Sequence, residues 1–258
     1  MSISPSLMSL TDEQRKWLDR ALRELLRLFG HATLLDAQVV LPNEDYFPDR
    51  YEPTAACVWS LARRLCGYLR LDPGSIELKF YQDRPHLAAT PAMGMIQDSG
   101  TAGLFTRPNA DAADTERKAV IALEIGVLDR PPVVVATLAH ELGHARLAAV
   151  GIDRGRFDLE LLTDLVPLYH GLGLLTASVA FHFAQFHNDR VSGWHAEQHG
   201  YLSEPMYGYA FAAFAYMRGE DRPAWARELP LNIRTCFKRE LKALRRAREA
   251  PFPRYRRA

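Results

Sequence analysis

Two histidines four residues apart, with a glutamate directly after the first, sit inside a stretch patterned as a helix: Ala139-His140-Glu141-Leu142-Gly143-His144. At 3.6 residues per turn, positions i and i+4 lie about 40° apart around the axis, so both imidazoles leave one face and can reach one metal ion. Glu141, one step round, can stand beside such an ion and take a proton from its bound water rather than ligate. With 9 histidines and 31 acidic residues in 258, chance gives about 0.04 such windows, too few to explain the match by composition. The surroundings agree: Pro131-Pro132 precede the apolar run Val133-Val134-Val135-Ala136-Thr137-Leu138, and Gly151 supplies a stop. Without a metal, the same side chains would simply hydrogen-bond within a helix.

A catalytic zinc takes three protein ligands and keeps a fourth position open, so a further donor is expected downstream. Glu160-Leu161-Leu162-Thr163-Asp164 lies in the next apolar, helix-like stretch. HExxH on one helix followed by E-x-x-[ST]-D on the next resembles the gluzincin, thermolysin-like branch of the zincin metallopeptidases. The resemblance covers roughly residues 133 to 166. It implies Glu160 as third ligand, with Asp164 accepting a hydrogen bond from a zinc-binding imidazole and so fixing its tautomer. The departure is in spacing, because 15 residues separate His144 from Glu160, fewer than in thermolysin-like enzymes. Direct ligation by Asp164, and an ordinary polar helix face, remain the alternatives. No third histidine follows His144 at metzincin spacing.

The resemblance also implies an α+β, zincin-like catalytic domain: a small β-sheet packed on the HExxH helix, followed by a mostly α-helical C-terminal half. Residues 1–130 would carry the N-terminal helices and the sheet. Residues 131–258 would carry the HExxH helix, the third-ligand helix and the helical C-terminal part, the two forming one integrated domain.

The local pattern fills in the elements. Thr11-Asp12-Glu13-Gln14 reads as a capping box opening a helix whose Leu18, Leu22, Leu25, Leu26 and Phe29 recur at helical spacing up to Gly30. A Pro- and Asp-rich loop from Leu41 to Pro53 precedes a second helix over about Thr54 to Leu69, stopped by Asp72-Pro73-Gly74. Ile76–Tyr81, Gly103–Thr106 and Ala119–Glu124 read as strands, with a polar loop through Asn109 and Thr115. By the resemblance, Gly103–Thr106 is the candidate edge strand for pairing with extended substrate. Leu165 to Phe186 is apolar enough to span a bilayer, but Pro167, His170, Gly171, Gly173 and His182 interrupt it, which favours a buried, Pro-kinked helix or helix pair. Ser203-Glu204-Pro205 can cap a helix running to Gly219, and Asn232 can cap a last one.

Composition narrows the partners. Formal net charge is +1, so no global field recruits nucleic acid. From Arg234 to Ala258, ten Lys and Arg against two Glu give a local +8, leaving −7 elsewhere. This segment reads as a solvated terminal helix with a basic tail, or as a dock for an acidic partner or nucleic acid. Three cysteines, Cys57, Cys66 and Cys236, suit reduced thiols. The N-terminal residues lack a basic region followed by an apolar core, so the expected location is cytoplasmic.

The expected activity is peptide-bond hydrolysis of a peptide or protein substrate by a zinc-bound water that Glu141 activates, with one Zn²⁺ per chain held by His140, His144 and Glu160. Gluzincins supply a further donor to the tetrahedral oxyanion, and His195, His199, Tyr201 and Tyr207 are the candidates. His195 and His199, with Glu197 between them, read as a surface pair rather than a second metal site. The competing readings are a metal-binding, peptidase-like sensor or interaction protein and a zinc hydrolase of small amides.

Overall fold

Burial in the first helix follows the spacing of its leucines. In the computed structural model, α1 (Asp12–Asp36) buries Leu18, Leu22, Leu25 and Phe29. Its N-terminus is closed by the reciprocal bonds of a capping box, Gln14 N–H to Thr11 Oγ1 and Thr11 N–H to Gln14 Oε1, each 3.1 Å. The structure describes residues 9–82, 103–106, 118–152, 155–179 and 202–255. Gly30 does not end α1 as its sequence position suggested. It takes φ +79°, a left-handed value that glycine adopts without steric cost, and kinks the helix, which resumes to Asp36. The Gly30 carbonyl then accepts from Tyr169 Oη at 2.9 Å.

α2 (Ala55–Leu69) starts at Thr54, whose hydroxyl accepts from the Cys57 N–H, and ends in left-handed Arg70. β1 (Ile76–Tyr81), β2 (Gly103–Thr106) and β3 (Ala119–Glu124) form a sheet of order β1-β3-β2. β3 is parallel to β1, with Ile76 opposite Ala119, and antiparallel to β2, with Gly103 opposite Leu123. All three strands fall where alternation placed them, and β2 is an edge strand of the described sheet.

α3 (Pro131–Ala149) carries the HExxH run, opened by two prolines whose missing N–H groups cost nothing in a first turn. α4 (Leu159–Tyr169) crosses α3 and carries Glu160 and Asp164. Pro167 lies in its last turn, Gly171 at φ +90° breaks the chain, and residues 173–179 form α5 as far as they are described. The apolar stretch is therefore a helix pair up to residue 179, and no helix among the described residues is long and apolar enough to cross a membrane.

α6 (Glu204–Met217) and α7 (Leu231–Arg246) pack against each other, and α6 also meets α1 and α4. Ser203 occupies the N-cap position of α6 without a side-chain capping bond. Asn232 is not the cap of α7: Pro230 holds that position, and the Asn232 amide donates instead to Glu204 Oε2 at 3.1 Å. The last helix is strongly amphipathic, burying Ile233, Phe237, Leu241 and Leu244. Buried residues from the N-terminal helices, the sheet, α3, α4, α6 and α7 make one contiguous core, so both halves of the chain share it. The architecture is mixed α+β, mostly helical. All three cysteines are free thiols, with Cys66 and Cys236 buried.

His170, just past α4, is a buried titratable group with a stability consequence. It is 2% exposed, its Nδ1–H donates to Val166 O at 2.9 Å, and Nε2 has no hydrogen-bond partner among the described residues. Burial, aided by the nearby Arg146 and Arg70 charges and opposed by the Val166 bond, pushes its pKa down to about 4. The unfolded chain takes up this proton near pH 6.5 and the folded one only near 4, so folded-state stability falls as pH drops through that window. The expected loss is about 3 kcal/mol, read by urea unfolding at pH 7 and pH 4 relative to His170→Gln. Parallel pH profiles for the two proteins would contradict it.

Candidate metal centre

α3 and α4 approach closely because residue 143, the fourth of the His-Glu-Leu-Gly-His run, has no side chain. A Cβ there would stand 3.1 Å from both Thr163 Cγ2 and the Thr163 carbonyl oxygen, tighter than relaxed packing allows. The N-terminus of α4 is fixed from outside. Asp158, in its N-cap position, accepts from Trp17 Nε1 at 2.8 Å and pairs with Arg156, whose guanidinium also grips Glu24 of α1 at 2.6 and 2.8 Å. Burial works against the Asp158 charge, but the Arg156 and Trp17 bonds prevail and hold its pKa below the usual carboxylate range. With its carboxylate so occupied, Asp158 makes no capping bond, and Glu160 is presented in the first turn of α4.

The result is a convergent cluster. Glu160 Oε2 lies 3.2 Å from His140 Nε2 and 3.2 Å from His144 Nε2. Each imidazole is held from behind: His140 Nδ1 donates to Asp164 Oδ1 at 2.8 Å, and His144 Nδ1 is 3.2 Å from Thr163 Oγ1. One donor atom from each of His140, His144 and Glu160 falls within a 4.8 Å span, and the three could hold a metal ion. The Glu160 side chain is 51% exposed against 12% and 11% for the two histidines, so the group opens to solvent on the Glu160 side.

Asp164, with its side chain 4% exposed, uses both oxygens: Oδ1 on His140, and Oδ2 on the Leu202 N–H at 3.1 Å, which ties the chain entering α6 to the cluster. Burial disfavours a charged His140, yet its bonds to Asp164 and Glu160 outweigh this and raise its pKa well above the ordinary value. Burial likewise opposes ionisation of Glu160, but the two imidazoles drive its pKa far down. Glu141 stands apart from this exchange. It is 6% exposed, and burial raises its pKa against the lowering influence of both histidines, which makes it a better proton acceptor than Glu160.

β2 covers the same face of α3. Phe105 stacks on the His144 ring at 5.5 Å and 12° between planes, and Gly103 lies against Thr137 and Glu141. No protein-family profile, no curated protein and no solved structure matches the chain.

The structure thus brings together His140, Glu141, His144, Glu160 and Asp164 from the expected set. Tyr207 sits inside α6, 2% exposed, its ring tilted against Phe211. His195, His199 and Tyr201 lie outside the described residues. The sequence assigns Thr163 no role, although it is the threonine of the E-x-x-T-D pattern, and it marks Gly103–Thr106 as an edge strand without a signal for the contacts of Gly103 with Glu141 and of Phe105 with His144.

Proposed function

We propose that this chain is a zinc-dependent metallopeptidase of the gluzincin type, with His140, His144 and Glu160 as ligands and Glu141 as general base. The observation that carries the reading is the placement of two imidazole Nε2 atoms 3.2 Å from one carboxylate oxygen while a neighbouring buried carboxylate, Glu141, stays outside the set. Neighbouring donors around a tetrahedral zinc are about 3.3 Å apart, given metal–ligand distances near 2.0–2.1 Å. The two carboxylate–imidazole separations match that spacing, and the donor set, spanning up to 4.8 Å, matches zinc in kind.

With Asp164 accepting at Nδ1, the neutral His140 that a metal needs carries its proton there and offers the Nε2 lone pair outward. The Thr163 hydroxyl can accept from Nδ1 of His144 in the same tautomer. The described residues offer three protein ligands to the cluster, the number that a catalytic zinc takes while keeping a position for water. When bound, zinc supplies a Lewis acid for the scissile carbonyl and acidifies water for attack.

Glu141 takes the proton of the attacking water, holds it in a site where burial favours the protonated form, and delivers it to the departing amide nitrogen. β2, as an edge of the described sheet lying along α3, is placed for an extended peptide to pair with its backbone beside Glu141. The half-exposed side of Glu160 leaves access for it.

The test is metal content and turnover measured together. Purified protein is expected to carry about one zinc per chain, to cleave members of a broad peptide library, to stop on chelation and to resume on adding zinc. His140→Ala is expected to lose both metal and turnover. A zinc-loaded, folded wild type that cleaves nothing in the library would overturn the peptidase reading.

A further inference from the structure

We propose that Gly103 is a positioning residue: the missing side chain at the start of β2 is what lets the Glu141 carboxylate hold its place beside the ligand cluster. This rests on the assignment of Glu141 as the general base. Gly103 is buried, lies opposite Leu123 in the sheet and is not among the residues with left-handed φ. Its backbone therefore does not demand glycine. Space does: a Cβ would overlap Thr137 Cγ2 and stand 3.0 Å from Glu141 Oε1 and 3.1 Å from Glu141 Cγ.

Thr137 and Glu141 are one turn apart on α3, so both face the strand that crosses them. Two residues further along β2, on the same face, Phe105 stacks on His144. The α3-facing side of β2 thus offers no side chain at the base and an aromatic ring at the ligand.

A side chain at 103 leaves two ways out. Either β2 lifts off α3, or the Glu141 carboxylate swings away. Thr137 cannot yield easily, because a buried β-branched side chain in a helix has few alternative rotamers. In the first case the strand that confines the carboxylate retreats from it; in the second the carboxylate itself is pushed by a few tenths of an ångström, a smaller shift than the misplacement near 1 Å that costs about 10²-fold in rate.

The alternative is that Gly103 serves only packing against Thr137. Gly103→Ala combined with Thr137→Ser separates the two, because it removes the overlapping methyl and leaves the added Cβ against Glu141. Expected for the pair is a Tm recovered toward that of Thr137→Ser, zinc affinity and KM within about twofold of wild type, and kcat lowered by about three- to tenfold. A crystal structure of the zinc-loaded pair is expected to show the Glu141 carboxylate displaced. Recovery of kcat together with Tm, or a carboxylate superposing on the wild type, would overturn the proposal. Should wild type prove to cleave no peptide, the base assignment falls, and the carboxylate position in those crystals still decides whether Gly103 sets it.

Discussion

Replacing Glu141 with glutamine should lower kcat/KM by about 10²–10⁴-fold while leaving zinc bound and the fold intact. Glutamine keeps the shape of the side chain and removes its capacity to accept a proton. The site makes this substitution unusually clean. Glu141 is 6% exposed and already inclined toward its neutral form by burial, so loss of the charge carries little structural cost. Neither Asp164 nor Thr163, which orient the two imidazoles, depends on it. The checks are zinc stoichiometry, thermal unfolding and steady-state kinetics on one preparation. Full activity in a zinc-loaded Glu141→Gln protein would remove Glu141 from its role.

The second large effect is expected at Asp164. Its two oxygens serve different parts of the molecule, His140 Nδ1 at 2.8 Å and the Leu202 N–H at 3.1 Å. Asp164→Ala strands both donors in a buried place, at about 1–3 kcal/mol each, and frees the His140 ring to turn. We expect zinc affinity to fall by about 10–100-fold and the metal-free protein to unfold at a lower temperature. Asp164→Asn keeps one acceptor oxygen and should fall between wild type and the alanine variant in both measurements. Competition for zinc with a chromophoric chelator gives the affinities. An alanine variant that binds zinc as wild type does would show that Asp164 only braces the entry to α6.

The parts of this site that were legible in the sequence are those carried by a short, contiguous run of residues. His140 and His144 share one face by periodicity, with Glu141 one step round, and Glu160 and Asp164 were picked out by the resemblance of Glu160-Leu161-Leu162-Thr163-Asp164 to the gluzincin pattern. The three strands were legible because alternation and flanking turn residues act locally. Gly103 and Phe105 were not, because their meaning comes from β2 crossing α3 some 34 to 39 residues later in the chain.

Thr163 lies between these cases. Its place in the pattern was visible, but its bond to His144 exists only because Gly143 lets the two helices close up. Gly30 and Asn232 misled for a related reason. A glycine can stop a helix or kink it, and here the kink is accompanied by a tertiary contact in which Tyr169 Oη donates to the exposed Gly30 carbonyl. Asn232 has a capping side chain, but Pro230 had already set the helix start and Glu204 offered that amide a better partner.

Zinc K-edge X-ray absorption of the wild-type protein, loaded with one equivalent of metal, is the most direct test of the central claim. Two imidazoles and a carboxylate oxygen in the first coordination sphere are predicted, with one imidazole signal lost in His144→Ala and the carboxylate lost in Glu160→Ala. A spectrum without imidazole scattering, or one unchanged by either substitution, would contradict the assignment of this cluster as a metal centre.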